Sequence, residues 1–212
     1  CSTKQEQQEL LNIVIVGGGA TGIEVAGILS EMKKFVLPND YPDMPSSLMH
    51  IYLIEAGPRL LAGMSEESSA HAEQFLREMG VNILLNKRVV DYRDHKVVLE
   101  DGTEIATRTF IWVSGVTGVT IGNLDASLIG RGGRIKVDSF NRVEGMNNVF
   151  AIGDQCIQVA DEDYPNGHPQ LAQVAIQQGE LLAKNLVRME KGREMKPFHY
   201  RNLGSMATVG RN

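Results

Sequence analysis

The 212-residue sequence has few cysteines, no long apolar run and no concentration of basic charge. No apolar run approaches the roughly 18 residues that a membrane-spanning helix needs, and the polar start "CSTKQEQQEL" is not a signal peptide. Acidic and basic residues are mixed and the formal net charge is −5, which argues against nucleic acid as a partner. These absences indicate a soluble chain, and its 42% hydrophobic residues can form a substantial core.

The two cysteines, Cys1 and Cys156, lie far apart in the sequence. They form no CxxC pair, which disfavours a disulfide reductase and a zinc site and favours a reducing compartment. The five histidines neither fall four residues apart nor cluster with the cysteines. We therefore expect the histidines at the surface or in packing, and we predict no metal site.

The hydrophobic pattern predicts an α/β fold whose first half alternates strands and helices. "NIVIV" and "HIYLIE" are predicted strands, with a helix of about residues 20–33 and a proline-rich loop or broken insertion, "FVLPNDYPDMPSS", between them. Ser65 is the predicted N-cap of a second helix, and "VNILL" is the third strand. An antiparallel meander with a hairpin turn at residues 100–103 follows, then a buried strand "NVFAIGD" and a helix of about residues 170–190. The last stretch, "YRNLGSMATVGRN", is strand-like.

A glycine-rich turn, Gly17-x-Gly19-x-x-Gly22, lies between the first predicted strand and helix. In that context the first glycine permits a tight turn, the second admits a pyrophosphate and the third lets the helix pack on the strand. The turn therefore predicts a Rossmann-like dinucleotide site, which also includes Gly18, Ala20 and Thr21. A glycine turn without a ligand is the alternative.

Glu55 ends the second predicted strand. A carboxylate there can accept hydrogen bonds from both adenosine ribose hydroxyls and would repel a 2′-phosphate. This favours NAD(H) over NADP(H), although Arg59 lies nearby and weakens the preference. Ala56, the next residue, belongs to the same candidate site.

Glu24 lies in the first turn of the predicted helix, two residues after Gly22. One interpretation is that it only stabilises the helix dipole. The other places it beside the nicotinamide, where it would orient the ring or pass a proton.

Six segments, "IVIVGGGATGIEVAGIL", "LIEAGPRLL", "FIWVSGV", "NVFAIGD", "AQVAIQQG" and "GSMATVGRN", together resemble the type II NADH dehydrogenases. These are single-subunit, flavin-dependent NADH:quinone oxidoreductases of the membrane surface. The resemblance implies that Ser114 and Gly115 line the nicotinamide pocket and that Gly153 and Asp154 hold the FAD ribityl chain. Without the family, the alternative is that Asp154 caps the next element.

The resemblance also implies roles for the start of the long helix. Leu171 and Ala172 would offer backbone amides to the flavin pyrimidine edge, which stabilises reduced flavin. Gln173 and Ile176 would border the quinone pocket, with Gln173 counted as catalytic. Without the family, this stretch is an ordinary surface face.

The family has a further GxGxxG for the FAD adenine half and amphipathic C-terminal helices that bind the membrane, neither of which is in this sequence. The resemblance therefore implies a segment: an NADH-binding domain, residues 1–117, and an incomplete returning part of the FAD domain, residues 118–212. We expect the segment to purify without FAD, to lack quinone reduction alone and to form a possible homodimer. Its parent would be cytoplasmic and peripheral to the inner face of the membrane. The alternatives are a part of a ferredoxin- or nitrite-type reductase and a non-catalytic NAD(H)-sensing module.

Overall fold

The computed structural model describes residues 3–211, so Cys1 lies outside the described residues. The chain forms two compact units, one of residues 3–115 with 205–211 and one of Val116–Gly204. The second domain predicted from the sequence, residues 118–212, includes residues 205–211, which pack with the first unit. The helices are α1 (Lys4–Leu11), α2 (Ala20–Glu31), α3 (Leu37–Asp40), α4 (Glu66–Glu78) and α5 (Ala172–Glu190). The strands are β1 (Asn12–Val16), β2 (His50–Ile54), β3 (Val81–Leu84), β4 (Val89–Arg93), β5 (Lys96–Leu99), β6 (Glu104–Ala106), β7 (Thr109–Trp112), β8 (Ile135–Lys136) and β9 (Cys156–Ile157).

The first unit is built on a four-stranded parallel sheet of order β3-β2-β1-β7. In this sheet Val16 lies opposite Ile54 on one side and Trp112 on the other. Since all four strands run the same way, their carboxyl ends meet at one edge. The loops that begin at Gly17, Glu55 and Val113 therefore lie next to one another, which is the edge where α/β sheets bind ligands.

Both faces of the parallel sheet are buried, which explains the unbroken apolar run of β1. One face packs against α2 and α4, and its fully buried side chains include Ile15, Leu53 and Leu76. On the other face, Val14 and Ile54 contact residues of the antiparallel sheet β4-β5-β6. The fold class predicted from the sequence, α/β with an antiparallel meander, is confirmed.

The predicted hairpin turn at residues 100–103 is also confirmed, because it joins β5 and β6. The N–H of Gly102, a residue with φ of 83°, donates to the carbonyl of Leu99 at 2.9 Å. Ser65 caps α4 as predicted, its hydroxyl accepting from Ser68 N–H at 3.1 Å.

The proline-rich insertion is more helical than predicted. After α2 the chain continues as a π-helical segment, Met32–Val36, and then as α3. Pro38 does not end the helix because it stands in the first turn of α3, where a missing N–H costs nothing. The loop begins only after Asp40.

The second unit has little regular structure beyond α5 and the two-residue parallel pair β8–β9. The prediction of a strand in "NVFAIGD" is wrong: within the described residues this segment makes one bridge, between Phe150 and Arg142. A strand needs a ladder, and a single bridge does not build one. The prediction of a strand-like segment at the end of the sequence is also wrong, since residues 200–211 contain no strand.

Two small cores hold the second unit together. One contains Ile135, Val143 and Cys156, and the other joins Val174 of α5 to Phe198 and Tyr200. His168 is 1% exposed and packs among aromatic rings, with its Nε2 3.0 Å from an Asp161 oxygen.

Among residues 3–211, none of the helices combines the length and hydrophobicity required to cross a bilayer.

Candidate functional site

The glycine loop is tightly folded at the carboxyl end of β1. Gly17 has φ of 118°, a conformation that favours glycine, and its N–H donates to the Ile54 carbonyl at 2.9 Å. A Cβ on Gly22 would lie 1.8 Å from the Gly17 carbonyl oxygen, so no side chain fits there. The tight turn at Gly17 and the close backbone approach at Gly22 therefore both require glycine.

Gly19 is different, because it faces open space. It is the N-cap of α2, it is exposed, and a Cβ placed on it would meet no atom within 4 Å. The first intrahelical bond runs from Ile23 N–H to the Gly19 carbonyl at 3.1 Å. The backbone N–H groups of residues 20–22 consequently precede the helical ladder and sit at the positive end of the helix dipole. An anion can approach this backbone closely.

Glu55 is locked onto the glycine loop. One carboxylate oxygen accepts from Gly18 N–H at 2.6 Å and the other from Gly57 N–H at 2.7 Å. A Cβ on Gly18 would lie 2.7 Å from a Leu60 methyl, so Gly18 has to be small for the loop after β2 to close over it. Each carboxylate oxygen accepts one of these bonds and retains a second lone pair for a ligand hydroxyl. Ala56, beside Glu55, is exposed.

Ser114 and Gly115 lie in the loop after β7, next to the glycine loop. A Cβ on Gly17 would lie 3.0 Å from the Ser114 Cα, so these two backbones are in close contact. Gly115 is exposed with φ of 79°. The indole N–H of Trp112, whose side chain is 55% exposed, donates to the Ser114 carbonyl at 2.7 Å. The structure therefore brings Ser114 and Gly115 together with the glycine loop.

Glu24 is half-buried on α2, and its carboxylate accepts from the Thr208 N–H at 3.3 Å. It thereby joins α2 to the final described segment of the first unit. This contact was not foreseen from the sequence, because the two residues lie 184 positions apart.

In the second unit, Gly153 and Asp154 lie in a short 3₁₀ turn next to α5. The Gly153 N–H donates to the Gln178 side-chain oxygen at 2.6 Å, and a Cβ on Gly153 would lie 3.2 Å from that of Ala175. Asp154 is exposed, and its carboxylate accepts no hydrogen bond from the described residues. Its outward carboxylate is therefore available to a ligand. Leu171, the N-cap of α5, and Ala172 are also exposed.

Side-chain amides fix the segment of residues 196–204 along α5. Gln177 bonds both the N–H (3.0 Å) and the carbonyl (2.9 Å) of Arg201. Gln173 accepts from Leu203 N–H at 3.2 Å and donates to the Gly204 carbonyl at 3.0 Å. The Asn185 side chain likewise donates to the Lys196 carbonyl and accepts from the Lys196 N–H. We call residues 196–204 the strap.

The two residues predicted to border the quinone, Gln173 and Ile176, differ in whether they contact the strap. The Gln173 amide is engaged by backbone, whereas Ile176 is 61% exposed. Sequence reasoning missed Gln177 and Asn185; the available signal for Gln177 was its spacing of one helical turn after Gln173.

Comparison with known proteins places the chain. Residues 2–179 match the family described as pyridine nucleotide-disulphide oxidoreductase. The chain belongs to this family of nucleotide-dependent oxidoreductases.

Among curated proteins, the chain is similar to the type II NADH:quinone oxidoreductase NdhA of Mycobacterium tuberculosis, with 33% identity over 98% of this chain and 45% of the relative. It is 34% identical to the internal alternative NAD(P)H-ubiquinone oxidoreductase A1 of Arabidopsis thaliana mitochondria, over 98% of this chain and 42% of the relative. The chain thus spans less than half the length of these relatives. The predicted resemblance to type II NADH dehydrogenases is confirmed.

The fold is also similar to those of solved structures. The structure of NDH2 from Plasmodium falciparum in complex with NADH superposes with a TM-score of 0.83 at 19% identity, over 99% of this chain and 58% of that one. A ferredoxin reductase from Rhodopseudomonas palustris gives a TM-score of 0.63 at 19% identity, over 92% of this chain and 44% of that one.

Proposed function

We propose that the first unit binds NADH and that the protein passes its hydride to FAD and on to a quinone. The observation that carries the proposal is the pair formed by the open N-terminus of α2 at Gly19 and the carboxylate of Glu55. The first suits a pyrophosphate and the second a ribose diol, which are adjacent parts of one adenosine dinucleotide.

The residues of the glycine loop fit the group. Gly17 and Gly22 have no room for a side chain, while Gly19 leaves its surroundings open to a ligand. The backbone amides of Ala20 and Thr21 would bind phosphate oxygens. Ser114 and Gly115 would lie along the nicotinamide, and Glu24 would orient the ring or move a proton.

For the second unit the proposal rests on Asp154 and the start of α5. The exposed Asp154 carboxylate would accept from a ribityl hydroxyl of FAD, with Gly153 held by Gln178 behind it. The amides at Leu171 and Ala172 would face the flavin. FAD supplies the redox chemistry when bound, and the chain's own groups orient it. Gln173 and Ile176 would border the quinone; a membrane-surface location and a homodimer remain predictions of the same kind.

Titration of the 212-residue chain with NADH tests the nucleotide site. Trp112 is the single tryptophan and hydrogen-bonds Ser114, so its fluorescence should change on binding. Glu55→Gln should weaken NADH binding roughly 10- to 100-fold, because a charge-assisted hydrogen bond contributes about 1.5–3 kcal/mol. Glu162→Gln, an exposed carboxylate of the second unit, is the matched control and should bind as the parent does.

An unchanged dissociation constant in Glu55→Gln would remove the ribose assignment. The visible absorption spectrum of the purified chain reports separately whether it holds a flavin. NADH:quinone turnover of a protein of the relatives' full length tests the complete reaction.

A further inference from the structure

The loops that flank Glu55 are joined to the segment after β3. The N–H of Lys87 donates to the Glu55 carbonyl at 3.0 Å, and the N–H of Asn86 donates to the Gly57 carbonyl at 2.9 Å. The backbone of Asn86 and Lys87 is therefore hydrogen-bonded to the loop that carries Glu55, the residue proposed to bind the adenosine ribose. A basic side chain in these segments that had no other partner would be a candidate to pair with a 2′-phosphate.

Arg59, the basic residue of the loop after β2, is occupied by backbone. Its guanidinium donates to the carbonyls of Ala62 at 2.8 Å and Met64 at 3.0 Å, with Ser65 at 3.5 Å. These bonds close the loop that leads into α4. The cation that weakened the preference for NAD(H) in the sequence is thus held within its own loop.

Lys87 and Arg88, the basic residues after β3, face acids of the β5–β6 turn. The Lys87 ammonium donates to the Asp101 carboxylate, and Arg88 Nε lies 3.8 Å from a Glu100 oxygen. The bond from Lys87 is the main reason that the pKa of Asp101 lies below its usual range, helped by the Thr103 N–H. Arg88 and Glu100 are each more than two-thirds exposed, so the Lys87–Asp101 pair is the better defined of the two.

We propose that Asp101 is a specificity-determining residue that holds Lys87 away from the adenosine 2′ position and so helps the site reject NADPH. A 2′-phosphate needs a cation to offset its charge, and the Glu55 carboxylate would repel it. Asp101 stands on a hairpin 46 positions after Glu55 in the chain, outside the motif that sequence reasoning uses for coenzyme preference. The inference rests on the proposed NADH site.

The variant Asp101→Asn isolates the charge. Asp101 Oδ1 also accepts from Thr103 N–H at 3.0 Å, and the asparagine oxygen keeps that bond and the turn. In the 212-residue chain at low salt, we expect NADPH to bind roughly 2- to 5-fold more tightly and NADH binding to stay unchanged, the range of a released surface ion pair. Adding Lys87→Met to Asp101→Asn should abolish the gain.

Two controls separate this effect from a change in net charge. Glu104→Gln removes an acid of β6 that pairs with Lys96 at 2.6 Å, and it should leave the NADPH-to-NADH ratio unchanged. Lys87→Met alone should not raise the ratio, because it frees no cation and leaves the Asp101 carboxylate without Lys87. Thermal unfolding curves of each variant confirm that it is folded.

An unchanged ratio in Asp101→Asn, with NADH still bound, overturns the inference and leaves the proposed function standing. The same shift in Glu104→Gln, or a gain that survives the loss of Lys87, overturns it as well. If the parent chain binds neither coenzyme, the proposed function fails and this inference fails with it.

Discussion

The carboxylate of Glu55 connects two loops by accepting from the N–H of Gly18 at 2.6 Å and from that of Gly57 at 2.7 Å. These bonds set the position of the carboxylate through the fold itself. A ribose that binds there meets an acceptor already oriented, which lowers the ordering cost of binding. The Gly18 and Gly57 amides are thereby positioning groups for Glu55.

The packing at Gly22 predicts a loss of stability. In Gly22→Ala the new methyl would lie 1.8 Å from the Gly17 carbonyl oxygen, so backbone has to move. We expect the free energy of unfolding to fall by about 3 kcal/mol or more, above the usual cost of overpacking. Chemical denaturation measures it, and a variant as stable as the parent would contradict the observed packing.

Gly19 supplies the contrasting prediction, because its Cβ position is open. Gly19→Ala should change stability by less than about 1 kcal/mol. It should nevertheless weaken NADH binding at least tenfold, since the methyl occupies space that the pyrophosphate needs. Titration and a melting curve on the same sample check both parts; equal affinity would move the pyrophosphate away from this residue.

Substitution of Glu24 distinguishes the two roles that the sequence suggests for it. If the carboxylate acts beside the nicotinamide, Glu24→Gln lowers the maximal rate of a full-length protein more than it weakens NADH binding. Glutamine keeps an acceptor for the Thr208 N–H, so the contact at 3.3 Å is preserved. Steady-state kinetics separates the cases, because an unchanged maximal rate leaves only the helix-dipole interpretation.

The strap predicts that Gln177 matters for the second unit. Gln177→Ala removes both bonds to Arg201 and should lower stability by about 1–3 kcal/mol, at roughly 0.5–1.5 kcal/mol per bond. Hydrogen exchange at residues 200–204 should accelerate. Gln74→Ala, which breaks only a bond to Glu78, is the control and should leave those amides unaffected.

Burial raises the pKa of the Cys156 thiol, against smaller opposing effects of Gln178 and Arg134. The folded chain therefore keeps a proton that the unfolded thiol loses, and this contribution to stability is complete below the unfolded pKa of about 8.5 and declines above it. In a Cys1→Ser background we expect slow reaction with a thiol reagent at pH 8 and fast reaction in denaturant. A folded rate equal to that of a free thiol would be inconsistent with the burial.

Local patterns predicted the first unit well. The apolar run of β1, the cap at Ser65 and the turn at Gly102 are each determined by neighbouring residues, and the structure has all three. The second unit was predicted less well, because "NVFAIGD" is apolar enough for a strand but pairs only at Phe150. Pairing is a property of partners elsewhere in the chain, which a local pattern does not contain.

The same division holds at the candidate site. Gly17, Gly19 and Glu55 could be proposed as site residues because the motif depends on backbone geometry next to a strand. Thr208 beside Glu24, and Asp101 beside Lys87, are contacts between distant elements. Periodicity along the chain carries no signal for them.

The strap is attached through the uncharged amides of Gln173, Gln177 and Asn185. Neutral hydrogen bonds have no proton to gain or lose and no Coulomb attraction for dissolved ions to screen. High ionic strength should therefore leave these amide bonds in place under conditions that screen the surface ion pairs of the first unit, whereas acid can act on the strap where the Tyr200 N–H donates to the Asp161 carboxylate at 3.4 Å.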